Sequence, residues 1–344
     1  MRAALMYGKG DIRIEDVPIP EPRQGELLIR VTAAGICGTD LSEYTHGPKL
    51  FSIENRHRQT GHLGPLIPGH EFGGRVVGVG PDVDGFTVGD LVASGAGVSC
   101  GACFQCLDGL TNLCVDYWTV GLNRHGGLAE FVTAPASCCL EVASLGITET
   151  TVSLPQPMSI AVHAMRRGRP EPGADVVVVG AGGIGAFLIY ALLAAGHRVT
   201  TIDIDEGKLD IPSALGATTT TDPDGVEPVR VVYEASGSGP GLRTAMAATL
   251  SGGRTVAIGL QTTDPTLDLH ALSIGERELV GTNAHRFAES FESAARLVGS
   301  RQAGWSDFVA DLIPLDDLTS RVLPEMADRS SNRIKHVFDP AVGS

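Results

Sequence analysis

The chain has 344 residues, a length that suggests two domains at roughly 100–200 residues each. Forty acidic against 26 basic residues give a formal net charge of -14, so the basic surface that a nucleic-acid partner demands is missing. No apolar run approaches the ~18–20 residues that span a bilayer, and the N-terminal stretch has no extended apolar core, so a soluble cytoplasmic protein is expected, with no membrane partner. In chain order, the first part reads as short strands cut by Gly and Pro: Leu27–Val31, Gly74–Gly80 and Asp90–Ala93, with turns such as Gly80-Pro81-Asp82 between them. That pattern predicts an antiparallel, barrel-like β domain. The rhythm changes near Pro172. Asp175–Val179 is a continuous apolar run suited to a strand buried on both faces, followed by a helical stretch Ile184–Ala195 and a strand Arg198–Ile202. This is a βαβ unit, and the alternation continues through Val229–Tyr233 and Arg254–Ile258, predicting a doubly wound parallel sheet. A helix is expected over Ala288–Ser300 and a closing strand around Lys335–Phe338.

Three constellations carry chemistry. Four of the seven cysteines, Cys100, Cys103, Cys106 and Cys114, crowd into fifteen residues. In a chain without an export signal this spacing reads as a metal site before disulfides. Four thiolates can close a tetrahedral shell around Zn²⁺ with no position left open, which makes the site structural. Cys138 and Cys139 are adjacent, a poor geometry for a disulfide, and read as buried packing.

The second constellation is Gly180-Ala181-Gly182-Gly183-Ile184-Gly185, between the first strand and helix of the βαβ unit. Gly180, Gly182, Gly183 and Gly185, with Ile184 between them, let the backbone approach a pyrophosphate at the helix N-terminus. Asp203 ends the second strand 23 residues after Gly180. Its carboxylate can accept from a ribose diol and repels a 2′-phosphate, favouring NAD over NADP; Lys208 offers a second ribose contact. The third constellation is Gly35-Ile36-Cys37-Gly38-Thr39-Asp40 with Pro68-Gly69-His70-Glu71. Thiolate and imidazole are natural zinc ligands, and a third ligand would leave one position for water or substrate.

Together these segments, with Ser42–Phe72 and Gly126-Gly127-Leu128-Ala129-Glu130-Phe131, give a chain that resembles the zinc-containing medium-chain dehydrogenases over essentially its full length, most closely those acting on butanediol and sorbitol. The resemblance implies an α/β architecture. A barrel-like, GroES-like catalytic domain (residues 1–155 and 286–344) would be interrupted by a Rossmann domain for NAD (156–285), with the active site in the cleft between them. It implies that Cys37 and His70 bind a catalytic zinc, that Glu71 beside them can enter the coordination shell, and that Thr39 takes the proton from the alcohol. It matches the four clustered cysteines to a structural zinc, and the glycines and Asp203 to the NAD site. It also implies a homodimer or homotetramer paired through the strand Glu278–Thr282. His163 would face the cofactor domain without binding metal.

Two positions depart from the pattern. Polyol-type relatives have a glutamate as third zinc ligand where this chain reads Leu154-Pro155-Gln156-Pro157-Met158, which leaves Gln156, a neutral amide, as the candidate ligand. Relatives often carry histidine at the position of Ser42, completing a proton relay. His46, His57 and His62 lie with Lys49, Arg56 and Arg58 in a polar loop, read as a solvated flap beside the zinc. The leading expectation is zinc- and NAD-dependent oxidation of a secondary alcohol (a small diol, polyol or cyclitol) to a ketone, or the reverse. The alternatives are a reductase of C=C or C=N bonds without catalytic zinc, favoured only by Gln156, and a non-catalytic NAD-binding protein.

Overall fold

Asp175–Val179 is four valines behind one aspartate, and in the computed structural model it is a strand whose valines are all buried. It pairs in parallel with Arg198–Ile202 on one side and Val229–Glu234 on the other. β-branched side chains fit such a strand because both of its faces are covered. Outward from it run Thr218–Thr220 beyond Arg198–Ile202, and Thr249–Ala257 then Glu278–Gly281 beyond Val229–Glu234. The order of connection reverses beside Asp175–Val179, the switch point at which such sheets bind ligands. The helix Gly183–Ala194 is almost wholly apolar and buries seven of its residues, as a helix covering a parallel sheet must. The structure describes residues 1–261, 264–328, 330–331 and 333–342. These fall into two compact units: Ile160–Ala284, which holds this sheet, and Met1–Ser159 with His285–Ser344.

The second unit is built on a mixed, mainly antiparallel sheet. The order runs Ile313–Pro314, Val337–Asp339, Glu26–Gly35, Glu71–Val79, Leu91–Ser94, Cys139–Glu141, and Phe131–Pro135 also pairs with Glu26–Gly35. Its core gathers Leu27, Ile29, Val31, Phe72, Val76, Val92, Leu128, Val132 and Phe338. Register matters most at one end, where Gly35 sits opposite both Glu71 and Val337. That pairing converges three distant stretches: Ile36–Cys37, His70–Glu71 and Lys335–His336.

The helix expected over Ala288–Ser300 begins instead as a π-turn, Phe287–Phe291, and becomes α-helical over Glu292–Gly299. The wider turn accompanies stacking of Phe287 on the fully buried Phe291, ring centroids 4.9 Å apart. Cys138 and Cys139 are buried free thiols, with Cys138 Sγ donating to Pro135 O at 3.2 Å.

Candidate active site and metal centres

Among the described residues two groups of potential ligands cluster, each with its ligand atoms within 4.8 Å of one another: Cys100, Cys103, Cys106 and Cys114, and Cys37, His70 and Glu71. The first lies in a loop. Backbone N–H groups point at sulfur, from Cys103 to Cys100 Sγ, and from Cys100 and Asp116 to Cys114 Sγ, each at 3.3 Å. N–H groups of Val115 and Cys106 lower the Cys103 thiol to about 6, whereas burial pushes Cys114 up to about 12. A donor set of four sulfurs fits a zinc ion, which would be fully enclosed by them.

The second cluster is assembled from the sheet. Cys37 follows the strand Glu26–Gly35 and is the N-cap of the helix Gly38–His46; its N–H donates to Asp40 Oδ2 at 2.9 Å. His70 immediately precedes the strand that begins at Glu71. Gly69 has a φ of +94°, a turn that only glycine makes cheaply, and the Gly126-Gly127 stretch packs directly beneath it, with Gly127 N donating to Gly69 O at 2.8 Å. This is the physical reason for the glycine-rich segment before Phe131: a Cβ on Gly127 would run into Phe72.

His70 Nδ1 lies 3.6 Å from Asp40 Oδ1, too far for a hydrogen bond, and Thr39 Oγ1 is 3.9 Å from Cys37 Sγ. Glu71 Oε1 accepts from the buried Lys335 ammonium at 2.7 Å. Burial alone would push His70 down, but Asp40 and Cys37 hold it well above the ordinary histidine value. Lys335 is likewise held above its ordinary value by Glu71, Cys37 and Asp40 against the pull of burial. The potential here therefore favours positive charge. Asp40 Oδ1, His70 Nδ1 and Glu71 Oε2 are buried without a hydrogen-bond partner. Orphaned groups of this kind cost about 1–3 kcal/mol each, so they fit a site shaped for a cation.

Gln156 is a neutral amide and stands apart from these ionisable ligands. It is buried in the first turn of the helix Pro155–Gly168, and its side-chain amide makes no hydrogen bond among the described residues. Ser42 is exposed on the helix Gly38–His46. His163 is buried on the helix Pro155–Gly168.

In the parallel-sheet unit the glycine turn meets the conditions for a phosphate cradle. Gly180 has a φ of +100°, and a Cβ there would press on the backbone of Ser236. A Cβ on Gly185 would collide with Gly180 O, so the helix Gly183–Ala194 could not start as close to the strand. Gly182 faces open space, and as N-cap it supplies no side chain to the helix N–H groups. Free N–H donors beside open space fit a pyrophosphate. Asp203 Oδ2 accepts from Ala181 N at 2.7 Å and Oδ1 from Asp205 N at 3.0 Å, which fixes the carboxylate beside the turn. Lys208 ends a short 3₁₀ turn, with its ammonium 3.9 Å from Asp205 rather than on Asp203.

Three residues escaped the sequence reading. Asp40 ties the Cys37 backbone to the His70 side of the site; its signal was an acidic residue in the first turn of the helix behind Cys37. Glu43 is buried and accepts from the N–H groups of Lys49, Leu50 and Phe51, so the backbone at the start of the polar loop is anchored while His46, Lys49, Arg56 and Arg58 stay exposed. Lys335 gave no local signal, since nothing in a closing strand distinguishes a buried lysine from a surface one.

Comparison with known proteins bears on the same elements. Residues 23–144 match the alcohol dehydrogenase GroES-like domain and residues 183–300 the zinc-binding dehydrogenase domain. The chain is similar to a sorbitol dehydrogenase of Bacillus subtilis (28% identity, 92% of this chain and 91% of that one). It is also similar to an L-threonine 3-dehydrogenase of Serratia proteamaculans (31% identity, 84% and 86%). Among solved structures, 2R,3R-butanediol dehydrogenase from Bacillus subtilis superposes with a TM-score of 0.90 at 27% identity, covering 98% of this chain and 99% of that one. No helix among the described residues is long and apolar enough to cross a membrane. The GroES-like sheet, the parallel cofactor-type sheet and these likenesses together make the chain a member of the zinc-containing medium-chain dehydrogenases, oxidoreductases of the alcohol and polyol dehydrogenase type.

Proposed function

We propose that this protein catalyses the NAD-dependent oxidation of a secondary alcohol, a small diol, polyol or cyclitol, to the ketone, or the reverse reduction. The observation that carries the reading is the Cys37–His70–Glu71 cluster, with His70 and Glu71 buried and Cys37 half-buried, and the Thr39 hydroxyl 3.9 Å from Cys37 Sγ. Cys37 and His70, with Gln156 as a third donor, would hold one zinc; Cys100, Cys103, Cys106 and Cys114 would hold a second, structural one. Zinc bound at Cys37 and His70 supplies Lewis acidity to a hydroxyl, and nicotinamide supplies the hydride acceptor. The chain's own residues do the rest. Thr39 accepts the substrate's hydroxyl proton and passes it toward solvent, with Ser42 able to relay it only through water. Asp40 keeps Cys37 and His70 in place. The Gly180–Gly185 turn and the helix N-terminus hold the pyrophosphate, and Asp203 receives the ribose diol, which supports NAD over NADP.

By this reading residues 1–155 and 286–344 form the catalytic domain and 156–285 the cofactor domain. A homodimer or homotetramer is part of the proposal. Among the described residues the strand Glu278–Gly281 pairs on its Thr249–Ala257 side alone, and Leu260, Leu269 and Ile274 in the segment that leads into it are 75%, 62% and 76% exposed. An apolar edge of that kind is commonly covered by a second copy. A metal-free C=C or C=N reductase is the second reading, favoured by the neutral Gln156 alone. The test is reduction of NAD and of NADP by the zinc-loaded protein across a panel of secondary alcohols. Turnover with NAD on diols or polyols is expected. Absence of turnover on every alcohol, in protein carrying two zincs per chain, would overturn the proposal.

A further inference from the structure

Lys335 is buried, and its nearest charged partner is Glu71, 2.7 Å away; Ile36 O lies at 3.4 Å. The pairing of Val337 with Gly35 delivers it there from the far end of the chain. Glu71 is constrained on both oxygens. Oε1 is held by Lys335, and Oε2, buried and without a partner, occupies the space that a side chain on Gly35 would take. A carboxylate oxygen of this residue lies within 4.8 Å of the ligand atoms of Cys37 and His70.

The charge count at the site gives this arrangement a consequence. A Cys37 thiolate, a neutral His70 and a neutral Gln156 offer one negative charge to a divalent cation, so a further anion would be drawn into the shell. Glu71 is the anion within reach, and Lys335 competes for it. We propose that Lys335 is a positioning residue that keeps Glu71 beside the metal shell instead of inside it, and so preserves the coordination position a substrate hydroxyl needs. The inference rests on the reading of Cys37 and His70 as zinc ligands. Without Lys335 the buried Glu71 carboxylate has one strong cationic partner left, the metal, and becomes a ligand.

The experiment is a titration with cobalt(II) alone of full-length protein whose four-cysteine site stays filled with zinc, followed by visible absorption and by competition with zinc. Wild type should bind one cobalt per chain with a spectrum that Glu71→Gln leaves unchanged. Lys335→Met should bind cobalt about tenfold more tightly, with weaker visible bands that report an added oxygen ligand. Lys335→Arg should restore the wild-type spectrum, and Lys335→Met combined with Glu71→Gln should lose the added tightness. Unchanged or weaker binding in Lys335→Met would overturn the inference, as would a spectrum insensitive to Glu71→Gln in that background. If Lys335→Met does not fold, the Glu71→Gln variant decides alone: a changed spectrum means Glu71 already ligates and Lys335 does not hold it off. Failure of wild type to take up any cobalt is a different outcome, which removes the zinc reading itself.

Discussion

The two metal-type clusters differ in how the chain supports them. In the segment holding Cys100 to Cys114, only Asn112 and Cys114 are buried, while Phe104, Leu107 and Leu113 are 65%, 76% and 46% exposed. It has almost no core of its own, so a bound ion is what would hold it in shape. The Cys37–His70–Glu71 cluster is the reverse case: it sits on strands whose side chains form the main core, and its charged groups are buried among them. Its scaffold would stand with the cluster altered. By the proposed reading this contrast makes one site a folding element and the other a chemical one, although both contain cysteine.

The largest effect expected from that contrast is on the loop. Cys103→Ala should remove one zinc per chain and expose residues 100–116 to proteolysis, with lost solubility, because binding coupled to folding is worth on the order of 10 kcal/mol at such sites. Zinc content and limited proteolysis check it; a stably folded, fully active variant lacking that zinc would erase the distinction. Asp40→Asn should act on the other cluster only. The amide still accepts from Cys37 N but loses the charge beside His70, so metal affinity there should fall about 10–100-fold with the four-cysteine zinc unaffected, as isothermal titration would measure.

How much of this was legible without coordinates follows the same contrast. The four-cysteine loop, the glycine turn and Asp203 are local patterns, each requiring a residue type at a fixed spacing, and the strands Asp175–Val179 and Arg198–Ile202 fall where apolar runs place them. The buried cluster depends on register. Gly35 opposite Glu71 and Val337 is a property of the folded sheet, so Lys335 and the double duty of Asp40 could not be read from spacing. The π-turn at Phe287–Phe291 was hidden for the same reason, since it answers to ring packing rather than helical period.

Smaller effects sharpen the comparison away from both metals. Asp203→Ser removes the charge that opposes a 2′-phosphate and should shift preference toward NADP by ~1–3 kcal/mol; an unchanged ratio of kcat/KM for the two cofactors would place ribose recognition elsewhere. His336, buried beside Lys335, has its pKa lowered to about 4, first by burial and then by Arg333 and Lys335. The unfolded chain therefore takes up this proton first as pH falls. Stability from this residue is complete above the unfolded value near 6.5 and drains away between there and about 4, by roughly 1–2 kcal/mol. Denaturant melts of wild type and His336→Gln across pH 4–7 should converge at the acid end; parallel curves would contradict the assignment.

The most direct measurement follows zinc content and alcohol oxidation together while the protein is dialysed against a chelator. One zinc should leave early, activity should fall in step with it, the fold should persist, and the four-cysteine zinc should remain; Gln156→Glu should slow the early loss by giving the shell a carboxylate. Undiminished turnover in protein that keeps only one zinc per chain would contradict a chemical role for Cys37 and His70 and leave the metal-free reductase as the better account.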